Sequence, residues 1–502
     1  MAAETTPGAR RVRVRMYRQG LGDCFLLSFP RGDGGRFHLL IDCGVILGTP
    51  SPEAAMEKVA RSILDETGGR VDVLVATHEH WDHLSGFLQA RPAFERLQVG
   101  EVWLAWTEDP SHPLAEELRR DRRKQVAHLR AAAERMKGAA AFGELAKGVT
   151  EVLGFFGLGA AGGSTADALE FLAKTKGAPV AFRRPGGDVL PLPGVPGVRV
   201  YVLGPPEDRA LIRKSDPTKR GRETYEHPAL ALSDTFFAAL GTPRKKLGLS
   251  EDGNDDGGGV ALDRDAVDLS HPFDVRHRIP WAKAGASEYA EFFAAYYGAE
   301  AGGGASGWRR IDDDWLGVAA DLALALDSDT NNTSLALAFE LGEGGPVLLF
   351  PADAQVGNWL SWDAHAWPRD PDRPERGKVD AADLLRRTVL YKVGHHASHN
   401  ATLREKGLER MESPELVALI PVDEEMARKK RWSMPFAPLY ERLKEKTRGR
   451  LIRVDSGRLP REEARGHGLT DGEWERWAAR TAEDESGALG GRPLWSDVFV
   501  DY

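Results

Sequence analysis

The seven residues Thr77-His78-Glu79-His80-Trp81-Asp82-His83 constrain what this chain can be more than any other stretch. They follow the apolar run 71–76, which reads as a buried strand, so three imidazoles and a carboxylate sit where a strand ends and the chain turns. His78 and His80, two apart on an extended segment, can point to one side. Asp82 and His83 then come round with the turn and face a second point close by. One short segment can therefore offer ligands to two metal ions. The plainer alternative is a polar loop whose histidines bond locally, but chance rarely brings imidazole and carboxylate together so densely.

A chain of 502 residues accommodates one large domain with insertions, or two or three ordinary domains. Its net charge of −9 argues against a general nucleic-acid coat, which would be basic, but leaves room for a nuclease with a local positive groove. Three basic runs, 119–124, 244–246 and 428–432, are candidates for such a groove, and each is as readily a solvated face. Two cysteines, Cys24 and Cys43, make no disulfide framework and predict a buried, reduced pair. No run approaches the roughly 18 apolar residues of a membrane span, and the first residues carry no apolar leader core. These features predict a cytoplasmic chain without a membrane segment.

Strand signals at 12–17, 24–29 and 37–42 are broken by the turns Gly20-Leu21-Gly22-Asp23 and Arg31-Gly32-Asp33-Gly34-Gly35. The third delivers Asp42 onto a glycine. A helix is predicted over 53–67, one or two long helices over 114–147, and further helices over 287–297 and 312–326. A strand is predicted at 198–203, and the Gly/Asp-rich stretch 251–259 reads as a loop. Strands resume at 334–341 and 346–350, joined as a hairpin, then at 389–393, 416–421 and 451–454, with an edge strand at 495–502.

Three later pieces complete the opening cluster: Asp353 at the end of a buried strand, His395-His396 with Ser398-His399-Asn400 at the end of another, and Asn331-Asn332 ahead of a strand. Imidazole and carboxylate at strand ends suit Zn²⁺, Mn²⁺ or Fe²⁺. The order Asp42, His78-x-His80-x-Asp82-His83, Asp353, His395 resembles the metallo-β-lactamase superfamily. Three stretches resemble, more narrowly, the hydrolase domain of ComEC-type DNA-uptake proteins: Gly20-Leu21-Gly22-Asp23-Cys24, Asn331-Asn332-Thr333-Ser334-Leu335, and Lys392-Val393-Gly394-His395-His396-Ala397-Ser398. The resemblance covers about 11–105 and 331–455.

The resemblance implies an α/β fold, an αββα sandwich, with a first half at 1–105 and a second half at 331–455. It does not account for the rest, which the residue pattern gives as a long, mainly helical insertion at 106–330, placed where it could act as a lid, and a tail at 456–502 packed on the core. It implies two divalent ions, Zn²⁺ or Mn²⁺, with His78 and His80 on the first and Asp82, His83 and His395 on the second. Asp353 would bridge them and Asp42 would support the metal loop; His396 is the alternative to His395. One departure stands out: the superfamily's further histidine on the first ion is missing. Asn332 falls near that point, with His227 and His271 as substitutes lacking a matching context.

The chemistry implied is hydrolysis by a hydroxide held between two ions, with Asp82, His78, His80 and Asp353 as the catalytic set. A phosphodiesterase or nuclease acting on DNA or another nucleotide substrate is the first reading. Hydrolysis of a lactone, amide or sulfate ester uses the same parts. A partner-gated effector or scaffold, with a regulatory protein lifting the insertion, is the third. Ser398 and His399 could contact a phosphate or simply shape a loop. Asp312-Asp313-Asp314 reads as a helix start, Trp81 as a packing residue or a wall of the pocket, and Trp103, Trp106 and Trp315 as core.

Overall fold

Alternating apolar residues in a dozen short segments force this chain into sheets with two useful faces. The computed structural model describes residues 10–137, 143–160, 162–175, 177–214, 288, 290–292, 318–370 and 373–502. It shows two large mixed sheets of eight strands each. The first runs in the order Thr481–Glu483, Trp495–Asp501, Arg11–Tyr17, Phe25–Pro30, Arg36–Ile41, Arg70–Ala76, Gln98–Ala105, Val180–Arg183. The second runs Gly457–Arg458, Leu451–Arg453, Val417–Ile420, Thr388–Lys392, Val347–Phe350, Ala336–Leu341, Val198–Gly204, Leu190–Pro191.

The period of two sorts each strand's side chains between two cores. Val12, Val14, Leu27, Leu39 and Val73 of the first sheet meet Val200, Leu337, Phe339, Leu348 and Leu390 of the second in one buried cluster. Phe25 and Phe29 cross that seam to Phe350 and Phe339, with ring centroids 5.6 and 5.8 Å apart. The opposite side of the first sheet, with Leu26, Leu40 and Leu74, is covered by Met56, Val59 and Ile63 of the helix Pro52–Thr67 and by Leu84 and Phe87 of the helix Trp81–Gln89. On the far side of the second sheet, Tyr391 packs edge-on against Trp359 of the helix Val356–Ser361. The protein is thus α/β, with two sheets sharing a core and helices on their outer sides.

The chain divides into two compact units. The first comprises Met1–Arg119, Gly154–Glu226 and Asp327–Tyr502 and holds both sheets; the second comprises Arg120–Leu153 and His227–Leu326. The described residues of the second are nearly all helical. The inserted portion is therefore narrower than the 106–330 expected from sequence. Val180–Arg183 pairs in parallel with Gln98–Ala105, and Val198–Gly204 pairs antiparallel with Ala336–Leu341, so both are strands of the sheets. They are short and flanked by polar turns, which hid the first of them. The C-terminal strand Trp495–Asp501 is not an edge either, because Thr481–Glu483 pairs along its outer side.

The hairpin Ala336–Leu341 to Val347–Phe350 forms as expected. Cys24 and Cys43 are free and buried. No helix among the described residues is long and apolar enough to cross a membrane. The stretches 244–246 and 251–259, the aspartates at 312–314, His227, His271, Trp315 and most of the helix predicted at 287–297 lie outside the described residues.

Candidate metal centre

Most acidic and imidazole side chains of the centre lie just beyond the end of a strand, Asp82 and His83 in the first turn of the helix that follows one. Asp42 follows Arg36–Ile41, the histidine segment follows Arg70–Ala76, Asp353 follows Val347–Phe350, and His395-His396 follows Thr388–Lys392. These strands run parallel in two groups, Arg36–Ile41 with Arg70–Ala76 and Val347–Phe350 with Thr388–Lys392, so their carboxyl ends gather the turns on one rim.

Two glycine turns fix the histidine segment. Asp23 N–H donates to Asp82 O at 3.0 Å and Cys43 N–H to His83 O at 2.8 Å. A Cβ on Gly22 would lie 2.6 Å from Asp82 O, and one on Gly44 would lie 2.4 Å from the Asp82 carbonyl carbon. Only hydrogen fits at either place. Gly44→Ala is expected to push the Asp82–His83 backbone aside and to destabilise the protein by about 1–3 kcal/mol. Denaturant unfolding with wild-type stability would show that the loop is not clamped in this way.

The hydrogen bonds assign the imidazole protons. Thr77 Oγ1 donates to Asp42 Oδ2 at 2.7 Å, so it accepts from His78 Nδ1, 3.1 Å away. His83 Nδ1 donates to Asp42 Oδ2 at 2.8 Å, and His396 Nδ1 donates to Pro421 O at 2.7 Å. Each bond leaves Nε2 with its lone pair turned inward, as in metal-ligating histidines. His78 Nε2 lies 3.1 Å from His80 Nδ1.

Asp82, His83, Asp353 and His396, all buried, each offer a ligand atom within 4.8 Å of the others. His83 Nε2 is 3.1 Å from Asp353 Oδ2, and His396 Nε2 is 2.8 Å from Asp82 Oδ2 and 3.8 Å from Asp353 Oδ2. Ligand atoms about 2.0–2.2 Å from one ion sit roughly 3–3.5 Å from each other, so this is the spacing of a coordination shell. The buried atoms His80 Nε2, Asp82 Oδ1 and His83 Nε2 have no hydrogen-bond partner among the described residues. Buried polar atoms left this way, converging on one place, fit a bound cation.

The charges agree. Asp23, Asp42, Asp82 and Asp353 are all buried here, and among the described residues Lys392 is the ammonium that meets them, 2.5 Å from Asp23 Oδ2 and 3.1 Å from Asp353 Oδ1. Burial opposes a charged imidazole at His83, yet Asp353, Asp23 and Asp42 together hold it well above the usual range. At His396 burial is likewise outweighed by Asp353 and Asp82. Burial pushes His80 down to about 3 and leaves it neutral. A cation at this place would compete with protons for the inward nitrogens of His83 and His396.

Two of the expected positions change. His396, not His395, joins the cluster. His395, His396 and Ala397 all adopt left-handed backbone, with φ of 40°, 52° and 62°, which re-aims both rings. His395 Nδ1 instead lies 2.9 Å from Ser398 Oγ and 3.2 Å from Gln355 Nε2, and burial pushes its pKa down to about 4. Asn332 is not a ligand: its amide donates to Ile212 O and Lys214 O, both at 2.9 Å, and its oxygen accepts from Asn358 N–H at 3.0 Å. Ser398 serves His395, and His399 is exposed beside Phe436.

Three residues of the centre escaped the sequence reading. Asp23 and Lys392 stood inside quoted motifs but showed no sign of facing each other. Asp327, near the end of the helix Val318–Asn331, places Oδ1 3.9 Å from His80 Nε2. Burial, with Asp82 and Asp353 nearby, raises its pKa to about 8. Phe155 and Phe156 wall His80 on the apolar side, each 5.3 Å away between ring centroids. Trp81 is buried and packs on Gly157, while Trp103 and Trp106 are core. No protein-family model matches the chain. A search of curated proteins finds no match.

Proposed function

We propose that this protein is a metal-dependent hydrolase of the metallo-β-lactamase type, holding two divalent ions and cleaving a phosphodiester, with DNA or another nucleotide as substrate. The observation that carries it is the convergence of buried, unpartnered ligand atoms at the rim of two sheets that share a core. The layering supports an αββα sandwich, and the resemblance of the turns around Asp23, Asn332 and His396 to ComEC-type hydrolase domains supports a nucleic-acid substrate.

In this reading His78 and His80 would hold one ion and Asp82, His83 and His396 a second, with Asp353 beside the histidines available to help hold them. Bound Zn²⁺ or Mn²⁺ supplies Lewis acidity, activating water and neutralising charge on the scissile phosphate. Asp42 orients His83 and, through Thr77, His78. Lys392 occupies Asp353 Oδ1 and leaves Oδ2 facing the histidines. Asp82 Oδ1, free of other partners among the described residues, is placed to take the proton that water gives up. Phe155 and Phe156 keep bulk water from His80 and strengthen the local electrostatics.

The test is metal content of the purified protein, with hydrolysis of bis(p-nitrophenyl) phosphate and of linear and circular DNA in Mn²⁺ and in Zn²⁺. Two ions per chain and phosphodiester cleavage are expected. Protein that takes up no metal, or takes up two ions and cleaves none of these, would overturn the reading.

A further inference from the structure

A histidine that ligates through one ring nitrogen must keep its proton on the other, and a buried N–H needs an acceptor. For three of the four proposed ligand histidines that acceptor is in place: the Thr77 hydroxyl for His78, Asp42 for His83 and the Pro421 carbonyl for His396. His80 differs. Its Nδ1 is the inward atom, 3.1 Å from His78 Nε2, so with an ion bound to both its proton must sit on Nε2. That atom is buried and has no hydrogen-bond partner among the described residues.

Asp327 Oδ1 is in the same condition, buried and unpartnered, and the two atoms face each other 3.9 Å apart. The other oxygen, Oδ2, accepts from Asn331 Nδ2 at 3.2 Å, which turns Oδ1 toward the ring. A small rotation of either side chain closes the gap to hydrogen-bonding distance. Phe155 and Phe156, each 5.3 Å from the ring between centroids, offer no side-chain acceptor.

We propose that Asp327 is the positioning residue of His80, accepting its Nε2–H and so holding the Nδ1 lone pair toward the first ion. The inference rests on the two-ion reading above and adds to it the group that compensates for the missing histidine. With only two imidazoles on that ion, their orientation must be fixed, and a carboxylate on Nε2 also makes Nδ1 a stronger donor.

Calorimetric titration of the metal-free full-length protein with Mn²⁺ tests it. Asp327→Ala is expected to weaken the weaker of two binding steps about 10–100-fold and leave the tighter one unchanged. Asp327→Asn keeps an acceptor oxygen in the same place and is expected to recover most of that loss. If both variants lose one ion outright at saturating Mn²⁺, Asp327 is itself a ligand and the positioning role falls. If all three proteins titrate alike, Asp327 has no role at His80. A wild-type chain that takes up no metal would instead overturn the two-ion reading.

Discussion

Replacing His396 by alanine is expected to remove an ion and lower phosphodiester hydrolysis by about 10²–10³-fold, while the same change at His395 leaves metal content intact. The two residues are neighbours in sequence and both buried, so burial alone does not separate them. What separates them is where each ring nitrogen goes. His396 gives one nitrogen to the Pro421 carbonyl and the other to the group formed with Asp82, His83 and Asp353. His395 gives its Nδ1 to Ser398 and Gln355, and its backbone N–H donates to Asp353 Oδ1 at 3.0 Å. Losing a group that holds charge in a preorganised site costs on the order of 10²–10³ in rate even when the rest survives. Metal analysis and steady-state rates on the two variants decide it. A His395 variant that sheds metal while the His396 variant keeps it would invert the assignment.

Lys392→Met is expected to destabilise the metal-free protein by about 3–5 kcal/mol, the cost of stripping one partner from a buried ion pair. The ammonium donates to Asp353 Oδ1 and to Ala352 O, and lies against Asp23; all are buried. Burial opposes a charged lysine, but Asp23 and Asp353 outweigh it and raise its pKa. Methionine fills a similar volume, so packing is nearly kept while two carboxylates lose their counter-charge. A divalent cation should then stabilise the variant more than the wild type, because it meets charge the lysine no longer meets. Chemical denaturation with and without chelator measures both effects. A variant as stable as wild type in chelator would show that the aspartates are neutralised some other way.

The part of the centre written in consecutive residues was legible, because strand period and turn together dictate where His78, His80, Asp82 and His83 point. Asp353 and Asp42 were legible for the same reason, each ending an apolar run. Legibility failed where tertiary geometry overrides the local pattern. The resemblance offered His395 with His396 as its alternative, and three successive left-handed residues, which no sequence pattern announces, decide how the two rings point. Asn332 lies in a motif that drew attention to chemistry, but its amide ties together chain segments near 212, 214 and 358. Asp327 comes from a helix end, a place that sequence periodicity marks as surface. Lys392 closes an apolar strand, and nothing local says that it turns inward. Most strands of both large sheets were anticipated; Val180–Arg183, Leu190–Pro191, Gly457–Arg458 and Thr481–Glu483 are too short to carry a period, and the longer Gln98–Ala105 was also missed.

Asp82 and His396 lie 314 residues apart in the chain, one beyond a strand of each sheet, and meet at 2.8 Å. An ion shared between them would act as a rivet through the two layers. In the limit of a permanent link, closing a loop of that length removes unfolded-chain entropy worth about 5–6 kcal/mol. The same atoms that would do the chemistry therefore also fasten the fold. On the two-ion reading, a cell that starved this protein of metal would not merely idle it but would also weaken the tie between its two sheets, leaving their shared apolar core to hold them.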